Sequence, residues 1–194
     1  MRLEPIPPDD LPPEVSGMYR QMQDVIAGHL NNFVTQRPDG ALVGPFPPLL
    51  HFPHFGAPAW ELIRRLIASS TLPASVREVV ILSTGARYDS RYEIYSHERS
   101  ARKSTLSAEK IATLSAGERP TDLSEQEAAA FDVTAALLRG NQLPQSTYDR
   151  ALRSFEPQQL AEIVYLISGY VLISLLLNAY DISVPGREDG LLTG

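Results

Sequence analysis

Along residues 57–181 the apolar side chains return every three or four positions, and no segment alternates with a period of two over β-branched residues. A three-to-four repeat lines one face of a helix, whereas a half-buried strand needs period two, so the sequence predicts an all-α fold. Helices are expected at 14–33, 57–69, 74–87, 90–104, 108–115, 124–138, 144–154 and 157–181. Their starts carry the expected chemistry. Ser75 follows Pro73, Ser107 precedes Ala108-Glu109, and Ser124-Glu125-Gln126-Glu127 reads as a capping box. The first helix is marked by Val15, Met18, Tyr19, Met22, Val25, Ile26 and Leu30.

Proline and glycine set the punctuation. Pro5, Pro7, Pro8, Pro12 and Pro13 fix φ and delete donors, which predicts an extended arm over 1–13. Arg37-Pro38-Asp39-Gly40 and Gly44-Pro45-Phe46-Pro47-Pro48 predict a loop before the second helix. A length of 194 residues favours one domain, assigned to 14–184, with a C-terminal tail at 185–194. A weak internal echo sets Pro73, Glu78, Val80, Leu82, Gly85 and Ser90 over Pro157, Glu162, Val164, Leu166, Gly169 and Ser174 at one constant offset. A structural repeat would make these two related helix hairpins about a pseudo-twofold, with polar side chains kept only in the first.

Charge and cysteine content narrow the function. The net charge of −6 leaves no basic excess to neutralise phosphates, so no nucleic-acid partner is expected. Without cysteine there is no thiolate nucleophile, dithiol or disulfide. The acidic, proline-rich start does not resemble a secretory signal, and a cytoplasmic location is expected. The apolar run over 163–180 approaches a membrane span in length, but Ser168, Gly169, Ser174 and Asn178 interrupt it and no Lys or Arg flanks it. It is read as a helix buried in a core or a subunit interface, with no membrane partner. Hiding such a surface against another copy predicts a homo-oligomer.

One window carries candidate chemistry. Ser90, Glu93 and His97 are spaced i, i+3, i+7, within an arc of about 60° on one helical face. Glu78 lies on the preceding helix, and a short turn at Tyr88-Asp89 would fold the two helices antiparallel. Two carboxylates and an imidazole in one cleft suit proton transfer, because like charge raises one carboxyl pKa and a neighbouring carboxylate orients the imidazole. A structural alternative exists for each residue. Ser90-Arg91-Tyr92-Glu93 is itself a capping-box pattern, His97 fits a core or surface histidine, and Glu78 has Arg77 and Arg87 as nearby partners. Arg87, Arg91 and Arg99 are candidate carboxylate clamps. Pro45, Phe46 and Trp60 are candidate pocket walls, with plain core packing as the alternative for the aromatics. His51 and His54 lie three apart, but Pro53 argues against a helix there and no third ligand is evident, so no metal is expected.

The pattern Glu78-x11-Ser90-x2-Glu93-x3-His97 resembles the active-site signature of the carboxymuconolactone decarboxylase and alkyl hydroperoxidase D superfamily, whose peroxidase branch reads Glu, Cys, Cys, His at this spacing. Gly44-Pro45-Phe46-Pro47-Pro48-Leu49-Leu50-His51 is similar to the family's entrance loop, and Leu72-Pro73 with Arg77-Glu78 to a helix start. Tyr92-Glu93-Ile94-Tyr95-Ser96-His97-Glu98 is similar to the decarboxylase branch's Tyr-Glu-Trp-Tyr-x-His-Glu. The likeness is close over 43–115 and loose over 124–184. Ser90 and Glu93 stand where the peroxidase branch has cysteines, which excludes a thiol peroxidase, and Ile94 replaces an aromatic.

The resemblance implies an alkyl hydroperoxidase D-like helical fold of antiparallel hairpins in a homo-oligomer. It also implies cofactor-free decarboxylation of a small lactone acid or related carboxylate. On this reading His97, Glu93 and Glu78 are catalytic, and Ser90, Tyr95, Arg87, Phe46 and Trp60 bind substrate. The alternatives are an isomerase or dehydratase using the same relay, or a non-catalytic oligomeric binding protein on the same scaffold.

Overall fold

A computed structural model describes residues 1–140 and 142–185, so all but the first residue of the expected tail lies outside the described residues. Among the described residues there are nine α-helices and no strand; one isolated antiparallel bridge joins Gln36 and Leu42. The chain divides into two compact units, one of Ser70–Ser174 and one of Met1–Ser69 with the segment from Leu175 onward.

The first unit holds α1 (Ser16–His29), α2 (Phe46–His51), α3 (Pro53–Ala68) and the end of α9 (Pro157–Ala179). The arm is not uniformly extended: Pro8–Asp10 and Pro13–Val15 form short 3₁₀ turns, so α1 starts at Ser16 rather than Glu14. Before α1, Arg2 donates its amide to Tyr180 O at 2.8 Å and its guanidinium to Ala179 O at 2.8 Å, satisfying carbonyls at the end of α9.

The loop expected around Phe46 is also partly a helix. Proline lacks the N–H that a helix's first turn leaves unpaired and has the right φ, so Pro47 and Pro48 start α2 and Pro53 starts α3. These two helices meet closely. A Cβ on Gly56 would sit 2.0 Å from Leu49 O, so only glycine fits there.

The second unit is built around α4 (Ala74–Arg87), which packs against α5 (Arg91–Ala101), α6 (Ala108–Ser115) and α7 (Glu125–Leu138); α8 (Gln145–Ser154) packs on α7. Val79 and Leu82 join Ala101, Leu106, Ile111 and Leu114 in one apolar cluster, with Leu123 and Phe131 against it. Because α4 has neighbours on several sides, it buries Ser75, Glu78 and Thr84 as well as its aliphatic residues.

The caps form as the sequence indicates. Ser107 Oγ accepts from Lys110 N at 3.2 Å. At α7, Ser124 Oγ accepts from Glu127 N at 3.3 Å while the Glu127 carboxylate accepts from Ser124 N at 3.0 Å. Glu162 of α9 accepts from the Thr71 amide and hydroxyl at 3.0 and 2.7 Å and from the Ser70 hydroxyl, fixing α9 to the segment before α4.

Pro73 and Pro157 both precede or open a helix, but the hairpin is not repeated. The chain turns at Tyr88-Asp89 between α4 and α5, while α9 runs unbroken through the residues the echo sets opposite that turn. Asp89 adopts a left-handed φ of 48°, a conformation that no residue inside the continuous α9 adopts. By length and composition α9 would pass for a membrane span; half of its most apolar stretch is buried.

Candidate active site

The turn after α4 determines what can meet. Asp89 N donates to Ala86 O at 3.1 Å and Ser90 N to Gly85 O at 2.9 Å, sending α5 back along α4. The helices then approach at Gly85, where a Cβ would lie only 3.2 Å from the Glu93 Cβ. Ser90 is the N-cap of α5, yet its side chain makes no capping bond and its buried hydroxyl has no hydrogen-bond partner. The capping-box alternative for Ser90 and Glu93 is thus not formed, and the Glu93 carboxylate is left to turn toward His97.

His97 sits between two carboxylates. Its Nδ1 is 2.9 Å from Glu78 Oε2, and with the carboxylate accepting, Nδ1 carries the donated proton. Its Nε2 is 3.6 Å from Glu93 Oε2, beyond hydrogen-bond range. The Tyr170 ring meets the imidazole edge to face, with centroids 5.1 Å apart and planes at 84°. All four residues are buried, and His97 retains 8% of its surface.

Burial governs the electrostatics. It pushes the Glu93 carboxyl up to about 7; the His97 charge pulls the other way, and Glu78 adds to the rise. For His97, burial pulls the pKa down. The charge and hydrogen bond of Glu78, with the charge of Glu93, outweigh that, and the net shift is upward despite Arg77. Burial, aided by the Glu93 charge, raises the Tyr170 phenol far above its ordinary value, so the ring stays neutral. Near neutrality the cluster therefore contains a carboxyl group that exchanges its proton beside an imidazole whose charged form is favoured, a condition for general acid–base work.

Tyr95 is buried beneath the Arg99 guanidinium, 3.8 Å from its ring centroid, and Arg99 Nη1 donates to Tyr95 O at 2.7 Å, so this arginine is held on its own helix. Arg87 is exposed at the end of α4, half a turn round that helix from Glu78. Phe46 and Trp60 belong to the other unit, where both are buried and pack edge to face at 6.1 Å. His51 Nε2 lies 2.8 Å from Glu4 O, and His54 packs on Phe55. The described residues hold no metal-binding cluster of three or more acidic or imidazole groups. Tyr170 escaped the sequence reading because α9 is apolar on nearly every side, so periodicity assigns no inner face; its one signal was a hydroxyl-bearing ring beside Gly169 in an aliphatic run.

The helices define an all-α protein with an alkyl hydroperoxidase D-like fold. Residues 53–136 match the Carboxymuconolactone decarboxylase family, a span that contains Glu78, Glu93 and His97. Over that span the chain is similar to the carboxymuconolactone decarboxylase family, and its fold is similar to alkyl hydroperoxidase D-like structures.

Among solved structures, it is similar to the alkylhydroperoxidase AhpD core of a peroxidase-related protein from Ralstonia eutropha JMP134. That likeness has 16% identity and a TM-score of 0.74, over 98% of this chain and 95% of the other. It is also similar to a variant of the debrominase Bmp8 in complex with 2,3,4-tribromopyrrole, at 14% identity and a TM-score of 0.72, over 97% and 95%. A peroxidase-related protein from Silicibacter sp. TM1040 aligns at 12% identity with a TM-score of 0.69, over 93% and 89%. At these identities the likeness concerns the fold. No curated protein matches the chain.

Proposed function

We propose that the chain is a cofactor-independent acid–base enzyme of the carboxymuconolactone decarboxylase type, a carboxy-lyase acting on a small lactone or related carboxylate. One observation carries this reading: a buried imidazole fixed by Glu78, with a second carboxyl beside it whose pKa stands at about 7. The absence of cysteine supports proton rather than thiol chemistry, including in comparison with the peroxidase-related neighbours.

In the reaction, the bond between the ring carbon and the carboxylate breaks and CO2 leaves. The electron pair delocalises through the ring alkene onto the lactone carbonyl, and a proton then adds to carbon. Glu78 holds the His97 ring and stabilises its charged form. His97 Nε2, which has no hydrogen-bond partner among the described residues, is placed to donate to the developing oxyanion. Glu93 retains its proton until near neutrality and is the carboxyl that supplies it to carbon or shares it with His97. Ser90, at the start of the same helix as this pair, keeps an unpartnered buried hydroxyl and is a substrate-binding candidate with a free polar group. The working assembly is a homo-oligomer in the cytoplasm, in which another copy covers the Val164, Tyr165 and Leu175 side chains that α9 exposes.

The test is CO2 release from carboxymuconolactone. We expect turnover by the native chain and a loss of more than tenfold in His97→Ala, with the oligomer and melting temperature retained. A native chain inert toward this lactone and its ring-opened keto acid refutes the decarboxylase assignment, and normal turnover by His97→Ala refutes the relay. Light scattering that returns a 21.4 kDa monomer at micromolar concentration refutes the assembly.

A further inference from the structure

On a different face of α4 from Glu78 there is a second hollow, of about 350 Å³, between the C-terminal half of that helix and α7. With about 3.6 residues to each helical turn, Ser83 and Arg87 fall on the side of α4 away from Glu78, whereas Gly85, which faces Glu93, comes back almost directly in line with Glu78 two turns on. The hollow thus opens away from the acid–imidazole cluster. Its volume falls within the range of small-molecule sites.

The lining has a consistent chemistry. Ala86, Phe131, Ala135 and Leu138 make apolar walls, and among the described residues the only charged ones in the lining are two arginines, Arg87 and Arg139. No carboxylate lies within ion-pair distance of either among the described residues. Other arginines of this unit differ, since Arg119 and Arg150 both pair with Asp132. A second observation points independently to a missing acceptor. The Ser83 hydroxyl, also in the lining, is buried without any hydrogen-bond partner. Native proteins seldom leave such a group unsatisfied unless something else accepts its proton. Gly117, also in the lining, takes a positive φ of 80°, and a Cβ there would meet only Ala86 at 3.9 Å, an ordinary contact that leaves open space beside it.

We propose that this hollow binds a small monocarboxylate with a flat apolar or aromatic body. The carboxylate lies between the two guanidiniums and accepts from Ser83, and the ring rests against Phe131 and Leu138. Two cations with no acid fit an anion; the aliphatic and aromatic walls reject a bare inorganic one, which would desolvate without apolar contact. The site is separate from the reaction centre proposed above and does not depend on that assignment.

Benzoate and its neutral isostere benzamide are the probes, titrated into the intact ¹⁵N-labelled protein and followed by amide NMR. We expect saturable shifts at Ser83, Ala86, Gly117 and Ala135 with benzoate, and binding at least tenfold weaker with benzamide. The Arg87→Gln/Arg139→Gln double variant, which changes only exposed side chains, should weaken benzoate at least tenfold, and Ala135→Trp should block it. Glu93→Gln should leave these shifts unchanged. Equal binding of the two probes, shifts confined to the surroundings of His97, or indifference to the double arginine variant would each overturn the proposal. So would a change in oligomer size on mutating the arginines, which would mean that another copy fills the hollow.

Discussion

Glu93 makes the sharpest prediction, because a buried carboxyl with a displaced pKa ties stability to pH. Its pKa is about 7 in the folded chain and 4.5 when exposed, so between those values the folded form keeps a proton that the unfolded form gives up. Stability must then fall as pH rises through this interval. At ~1.4 kcal/mol per unit the loss is about 3 kcal/mol by pH 7.5. His97 acts in the same direction: its raised pKa contributes stability that is present below its unfolded value and is lost as pH rises through the folded one. Glu127 and Glu162, whose pKa values are lowered, titrate below the interval and do not mask it.

Glu93→Gln removes the titration while keeping the shape. Urea unfolding followed by circular dichroism at fixed protein concentration, from pH 5 to 8, should show native stability falling and the variant's curve markedly flatter. The two should diverge by about 3 kcal/mol at the alkaline end. Parallel curves would refute the argument that burial holds the Glu93 proton.

Three further outcomes follow from the geometry. In His97→Ala, Glu93 loses the one neighbour that lowers its pKa, so its carboxyl carbon should titrate above 7 by ¹³C NMR; an unchanged midpoint contradicts the coupling. Gly56→Ala forces a Cβ into the Leu49 carbonyl and should cost about 3 kcal/mol or more, read as a drop in melting temperature and a changed Trp60 emission within the same unit. Ser124→Ala removes a formed capping bond and should cost about 1 kcal/mol, a fall of roughly 2–4 °C in melting temperature.

Much of the helical scaffold was readable from periodicity and caps. The expected 74–87 and 108–115 coincide with α4 and α6, and the Ser124 capping box forms at α7. The largest misreadings were of proline: Phe46-Pro47-Pro48 reads as loop by composition, but its prolines occupy positions where a helix has no use for the N–H they lack. The apparent repeat failed at the turn, because matched residues at a helix start do not oblige the chain to bend where its counterpart does.

For the site, the i,i+4 pairing of Glu93 with His97 followed from the residue order once a helix was assigned, since neighbours on a helix surface are set by rise and rotation alone. Whether Glu93 would cap its own helix or face His97 was decided by tertiary structure. So was the arrival of Glu78 and Tyr170, which depends on the Asp89 turn, the close approach at Gly85 and the packing of α9. The displaced proton affinities were likewise beyond the sequence. They arise from removing charged groups from water and setting them at particular distances, and a linear order of residues specifies neither until the chain has packed.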